Sequence, residues 1–312
     1  MINDFCVSVC MITYNQENYI SQAIEGVLMQ KVNFPIELVI GEDCSMDNTR
    51  SICLEYKKKY PNIIKLLLPE NNMGMMQNFI ATMQACTGKY TAFCEGDDYW
   101  IDPLKLQKQV DFLESNIEYS LCFHLADVFF ENKKKLKNNL YENLKEGEYS
   151  ANEIMQKWTI PTASVLFHTR FTKNIKWDQR FVFGDIVLFL SMAQYGKIYC
   201  LGDTMSVYRR LDSGMMLSSN KGDIINTIKK RIAHYEALKE HFVFVDEKII
   251  NNIMSSYYVS LFLKYIIAFD CNGLLFICKK ALICPKSFVK IFFIKIGLSV
   301  FRGLSKLYYI PA

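Results

Sequence analysis

Tyr90-Thr91-Ala92-Phe93-Cys94-Glu95-Gly96-Asp97-Asp98-Tyr99-Trp100 passes from an apolar run straight into three carboxylates within four residues. The apolar part, 90–94, predicts a buried strand. Glu95, Asp97 and Asp98 at its end repel one another and are costly to bury without a positive charge among them. Hard oxygen ligands suit Mg²⁺ or Mn²⁺, and Mg²⁺ is usually shared between one or two carboxylates and the phosphates of a substrate. The strand end therefore reads as the place where a metal holds a diphosphate. The other reading is an acidic turn capping the next helix, but Asp102 ahead of Pro103 already fills that capping role.

Working back towards the N-terminus, strand and helix signals alternate. Apolar runs at 5–12, 36–40 and 63–68 predict strands. Ile20, Ala23, Ile24, Val27 and Leu28 recur at helical spacing within 19–30. Asp47 or Asn48 caps a helix that runs to Tyr60, with Pro61 just beyond, and 74–87 predicts a third helix closed by Gly88. Such alternation specifies an α/β fold, a Rossmann-type and mostly parallel sheet flanked by helices. Ligands of such sheets collect outside the carboxyl ends of the strands. The polar turns after the first, second and fourth strands should converge there.

Working forward, strands are expected at 119–130, 163–168, 198–201 and 205–208, with a charged hairpin or loop at 131–145. An apolar helix follows Asp185. Beyond Asn220 the pattern is helical, at 224–241 and 249–268. We therefore expect a domain of residues 1–220 and a helical, basic-apolar extension of residues 221–312.

Composition excludes several classes. A net charge of +4 over 312 residues gives no argument for nucleic acid. The eleven cysteines lack Cys-x-x-Cys spacing and several lie in apolar strands, which fits reduced thiols in a reducing compartment. The four histidines show no mutual ligand spacing and read as structural. Met1-Ile2-Asn3-Asp4 carries no basic segment leading into an apolar core, so no secretory leader is expected.

Four segments, taken in order, resemble family 2 glycosyltransferases, inverting enzymes of the GT-A fold that use nucleotide-sugar donors. They are Val9-Cys10-Met11-Ile12-Thr13-Tyr14-Asn15, Gly41-Glu42-Asp43-Cys44-Ser45-Met46-Asp47-Asn48-Thr49, Asn71-Asn72-Met73-Gly74 and Glu95-Gly96-Asp97-Asp98. Phe183-Gly184-Asp185 and Val207-Tyr208-Arg209-Arg210 extend the likeness to about residue 210. The resemblance implies that Thr13, Tyr14 and Asn15 hold a base and that Glu17 accepts from ribose. Asp43 would bind the N–H of uracil, making UDP the leading nucleotide. Gly74 would let backbone approach the donor. Glu95 and Asp97 take the first and third positions of the acidic element, with Asp97 on ribose or metal and Asp98 on the metal. Arg209 and Arg210 would grip the diphosphate. Relatives often carry a His where Leu211 stands, so Asp212 or Ser213 would have to replace it at the metal.

Inversion needs a base for the acceptor hydroxyl, and the resemblance gives that role to Asp185. A helix N-terminal carboxylate stabilised by the macrodipole is the plainer reading of the same residue. The implied partners are a nucleotide-sugar donor and a hydroxyl acceptor, including lipid-linked sugars of surface-polysaccharide assembly. The implied location is the cytoplasm or the cytoplasmic face of the membrane. After Asp270 the chain carries lysines and arginines and no acidic residue. The extension thus reads either as a peripheral membrane contact or as a helical cap. The absence of Gln-x-x-Arg-Trp argues against a processive synthase. A dehydrogenase would need Gly-x-Gly-x-x-Gly after the first strand. A non-catalytic nucleotide-sugar-binding protein of the same fold is the rival reading.

Overall fold

The computed structural model describes residues 6–137, 144–157, 160–211 and 224–267. The chain divides into two compact units, one of residues 1–177 with 183–214, the other of residues 178–182 with 215–312. The domain boundary expected near residue 220, the replacement ligands Asp212 and Ser213, and the basic tail beyond 267 all lie outside the described residues.

In the first unit the alternation predicted from sequence is realised as β1 (Val7–Thr13), α1 (Ile20–Leu28), β2 (Ile36–Glu42), α2 (Thr49–Lys59), β3 (Ile64–Leu67), α3 (Met75–Gln84) and β4 (Tyr90–Phe93). There follow β5 (Tyr99–Trp100), α4 (Lys105–Ser115), β6 (Tyr119–Phe130), β7 (Lys135–Lys137), β8 (Gly147–Glu148), α5 (Ala151–Lys157), β9 (Leu166–His168), α6 (Gly184–Ala193) and β10 (Lys197–Arg210). α4 opens later than expected. Asp102 Oδ1 accepts from the Leu104 N–H (2.8 Å), capping the turn before the helix and leaving Glu95, Asp97 and Asp98 outside that role.

The strands form one sheet of order β3-β2-β1-β4-β9-β6-β10-β5, with β7 on β6 and β8 on β10. β1 pairs in parallel with both β2 and β4, from Val7 opposite Ile36 and Tyr90, and β3 pairs in parallel with β2. This shared register brings the ends of β1, β2 and β4 to one edge. β9 departs from the parallel pattern and runs antiparallel to both β4 and β6. Its start, Leu166, pairs with Ala92, so the turn ahead of it stands at the carboxyl end of β4. β10 fuses the two short strands expected at 198–201 and 205–208, absorbing the break as register shifts around Thr204. Val7, Val9, Met11, Leu38, Ile40 and Ala92 bury their side chains against Ile24, Val27, Trp100 and Leu106 to make the core.

One charge is embedded in that core. Lys105 is fully buried, its Nζ 3.9 Å from the Trp100 ring centroid and donating to Gln109 Oε1 (2.7 Å). Gln109 Nε2 in turn donates to the Ser164 carbonyl (2.8 Å).

The second unit contains α7 (Ile224–His241) and α8 (Glu247–Ile267). Arg180 links its short segment to α7, donating to Asp178 Oδ2 (2.6 Å) and Glu240 Oε2 (2.5 Å). Among the described residues no helix is long and apolar enough to cross a membrane.

Candidate active site

Three loops at the carboxyl edge are tied together by their own polar groups. Asn15 takes a left-handed backbone (φ 53°), which turns its side-chain oxygen onto the Met46 N–H (2.9 Å). Glu17 Oε2 accepts from both the N–H and the side-chain amide of Asn48 (3.0 and 2.7 Å). Thr13 is buried, its carbonyl accepting from the Asp43 N–H (3.1 Å). Asp43 is buried too, and its two oxygens accept from the N–H groups of Met73 (2.7 Å) and Gly74 (3.0 Å). Thus Asp43 and Gly74, predicted separately, meet, and the carboxylate shapes the loop as a charge-assisted clamp. Gly74 has open space where a side chain would go; its φ of +82° is what favours glycine. Tyr14 stands 41% exposed on the same rim.

The acidic turn lies next to these loops. Asp98 N–H closes it onto the Glu95 carbonyl (3.0 Å), and Asp98 Oδ1 accepts from the Arg209 N–H (2.8 Å). Arg209 is held by several groups of the protein. Its buried guanidinium donates to the Asp97 carbonyl (2.9 Å), Glu131 Oε2 (3.1 Å) and Gln22 Oε1 (2.5 Å), and lies against Tyr19 and Tyr99. A guanidinium so engaged fixes the backbone of the turn. Arg210 is exposed, over the Phe130 ring, and is the cation of the pair that a ligand can reach.

The three carboxylates bear the cost foreseen from sequence. Burial and then the repulsion of Asp97 push Glu95 up to about 8, and Asp185 raises it further. Burial, then Asp97 and Glu95, hold Asp98 well above the usual carboxylate range, and burial raises Asp97. Asp185 therefore acts on this cluster, though it lies ninety residues further on. It sits in the first turn of α6, its Oδ1 accepting from the Ile186 N–H (2.8 Å). Tyr208 joins from β10, its phenol pushed up to about 12 by burial and by Asp98, Asp97 and Glu95.

Two features escaped the sequence reading. The first is the 3₁₀ turn Thr162–Ser164, where a strand is expected from Ala163; its Thr162 hydroxyl tempers the rise of the Glu95 carboxyl. The second is the reason for Gly184. A side chain there would come within 2.9 Å of the Phe79 ring, itself packed edge-on against Phe93 and Trp177. Gly184→Glu is accordingly expected to cost about 1–3 kcal/mol of stability by overpacking, read as a lowered denaturant midpoint with unchanged slope.

The donor set fits a divalent cation. Glu95 Oε2 is a buried oxygen without a protein partner, and the mutual repulsion of the carboxylates is what a cation relieves. Among the described residues no three carboxylate, imidazole or thiolate groups converge to enclose an ion by themselves. Mg²⁺ or Mn²⁺ there would be held by one or two carboxylates, with phosphate and water completing the shell.

Residues 8–192 match the profile described as Glycosyl transferase family 2. The chain belongs to that family. Within it and its neighbours, an uncharacterized protein of Mycobacterium tuberculosis (strain ATCC 25618 / H37Rv) is 36% identical over 215 residues, 68% of this chain and 61% of its own length. This family 2 chain thus spans about three fifths of the length of that relative. The crystal structure of S. aureus TarS 1–349 in complex with UDP-GlcNAc matches with a TM-score of 0.56 at 18% identity, covering 88% of this chain and 91% of that one. The mannosyltransferase PcManGT from Pyrobaculum calidifontis, in complex with GDP-Man and Mn²⁺, gives a TM-score of 0.57 at 12% identity, covering 98% and 88%. At such identities the likeness is one of fold, and it places this chain among GT-A structures.

Proposed function

We propose that the chain transfers a sugar, with inversion at the anomeric carbon, from a UDP-sugar to a hydroxyl group of an acceptor saccharide. The observation that carries this reading is the acidic cluster of Glu95, Asp97 and Asp98 at the sheet edge with Asp185 acting on it from α6. Support for uridine comes from the family position held by Asp43 and from TarS, which was solved with UDP-GlcNAc.

In this mechanism Asp97 and Asp98 would hold the metal, and Arg209 fixes the turn that presents them. The bound ion would offset the charge that grows on the departing diphosphate. Arg210 adds an exposed cation. Asp185, in the first turn of α6, takes the proton of the acceptor hydroxyl as it attacks. Tyr14 covers the base, and the loops laced by Asn15, Glu17 and Asp43 keep the crevice in shape.

The test is incubation of the purified protein with a panel of UDP-sugars and Mn²⁺. Slow donor hydrolysis is expected, falling to background with a chelator and in Asp97→Asn. Binding that ignores the metal and never turns over would favour the non-catalytic reading and overturn this one.

A further inference from the structure

Beside α3 the first unit holds a cavity of about 290 Å³ that the mechanism does not use. It lies between the last turn of α3 and the segment 169–177 that follows β9. Its lining includes the buried Met83 and Thr169, the half-buried Ile175 and Trp177, and the exposed Gln84 and Lys173. The size is at the low end for small-ligand pockets and admits one ring of a ligand.

One wall suits a sugar ring. The Trp177 indole lines the cavity and stands edge-on to Phe79, with ring centroids 6.0 Å apart and planes at 85°. Rings so set do not stack, so Phe79 leaves at least one indole face uncovered. The C–H face of a pyranose packs on such a surface, and Met83 and Ile175 extend it. The hydroxyl groups around a sugar ring need donors and acceptors, and the Gln84 amide offers both.

The rim is positive. Lys173 is the one charged residue of the lining, which holds no carboxylate. Among the described residues its ammonium has no ion-pair partner. Arg170 and Lys176 are exposed on the same segment, and no acidic residue occurs from Thr169 to Trp177. An ammonium beside an otherwise uncharged cavity favours an anionic group on the ligand.

The cavity also stands within reach of the chemistry. α6 opens against the same Phe79, since a side chain at Gly184 would come within 2.9 Å of that ring and 3.4 Å of the Met76 side chain. Asp185 is the next residue. From Met76 to Met83 α3 advances about 10 Å, a span that a short oligosaccharide bridges.

We infer that this cavity is an acceptor subsite, holding an acidic sugar of the acceptor chain a short way back from the hydroxyl that is glycosylated. Trp177 and Met83 take the ring, and Lys173 reads the carboxylate or phosphate that it carries. Its role in accepting glycosyl chains rests on the function proposed above.

The test titrates galactotetraose, tetragalacturonate and galactotetraose 6-phosphate against the protein without donor, by calorimetry. The neutral chain is expected to bind more weakly than the better acidic one by about tenfold or more. Which acidic chain binds better tells carboxylate from phosphate. Lys173→Gln should erase the difference, Lys173→Arg should keep it, and Trp177→Ala should abolish binding of all three. Trp177→Ala also unpacks Phe79, so thermal melts accompany it; the two variants of the exposed Lys173 decide the matter if it does not fold.

Equal binding of acidic and neutral chains, binding of none, or a preference that survives in Lys173→Gln overturns the inference. A wild-type protein that hydrolyses UDP-sugars yet gives any of these results keeps the proposed function and loses only the subsite. A clear preference in a protein that neither binds nor hydrolyses any UDP-sugar removes the proposed function, and the acceptor role with it.

Discussion

Asp185→Asn is expected to bind donor as the wild type does and to lose sugar transfer by a factor on the order of 10² or more. The amide is isosteric, and its oxygen can still accept the Ile186 N–H, so the start of α6 has no reason to move. What disappears is a basic oxygen for the acceptor proton. A second effect follows from the charge removed. Asp185 raises Glu95, so the variant should have a more readily ionised Glu95. A helix-capping carboxylate with no part in chemistry predicts a different pattern, a lower melting temperature with transfer preserved. Calorimetric donor titration beside product formation separates the two. Full transfer activity in Asp185→Asn would remove the residue from the mechanism.

The parts that could be read from the sequence are those set by local pattern. β1, β2 and β4 announce themselves as apolar runs ending in polar turns, because strands buried on both faces need no alternation. The helix expected at 224–241 is observed as Ile224–His241, since its apolar residues recur at helical spacing over many turns. The acidic turn was legible for the same reason, three charges at the end of a buried strand. Long-range contacts decided the remainder. Arg209 looks like a phosphate clamp beside Arg210 until Glu131 and Gln22, 78 and 187 positions away in the chain, close around its guanidinium. Thr162 carries no signature, because its place depends on β9 entering the sheet against the direction of β4, and that entry is anchored by Trp100 and Gln109. Gly184 read as a departure from the family; the Phe79 ring explains it as a steric requirement.

Lys105 carries the largest expected effect on stability, and the effect depends on pH. Burial pushes its ammonium down to about 7, so near neutrality the folded protein holds it partly as ammonium and partly as an amine, bonded to Gln109. The unfolded chain keeps the ordinary lysine value near 10.4. Between these values the unfolded state binds more protons, so this residue's contribution makes stability rise with pH; below 7 its cost is fully present. Other groups titrate nearby with different signs. Glu95, raised to about 8, loses stability as pH climbs towards that value. His168, lowered to about 4, acts below the window, and Cys122, raised to about 12, acts above it. Comparing wild type with Lys105→Met cancels these shared contributions. The methionine keeps the stem over Trp100 and removes the charge, so the variant is expected to be the more stable protein at pH 6. Its advantage should narrow by about 2 kcal/mol by pH 8.5, measured by denaturant titration at each pH. A gap that stays constant over that range would mean that Lys105 does not change charge there. A methionine also cannot hold Gln109 Oε1, and Gln109 positions the Ser164 carbonyl. The same variant should therefore loosen the 162–164 turn even as it gains stability.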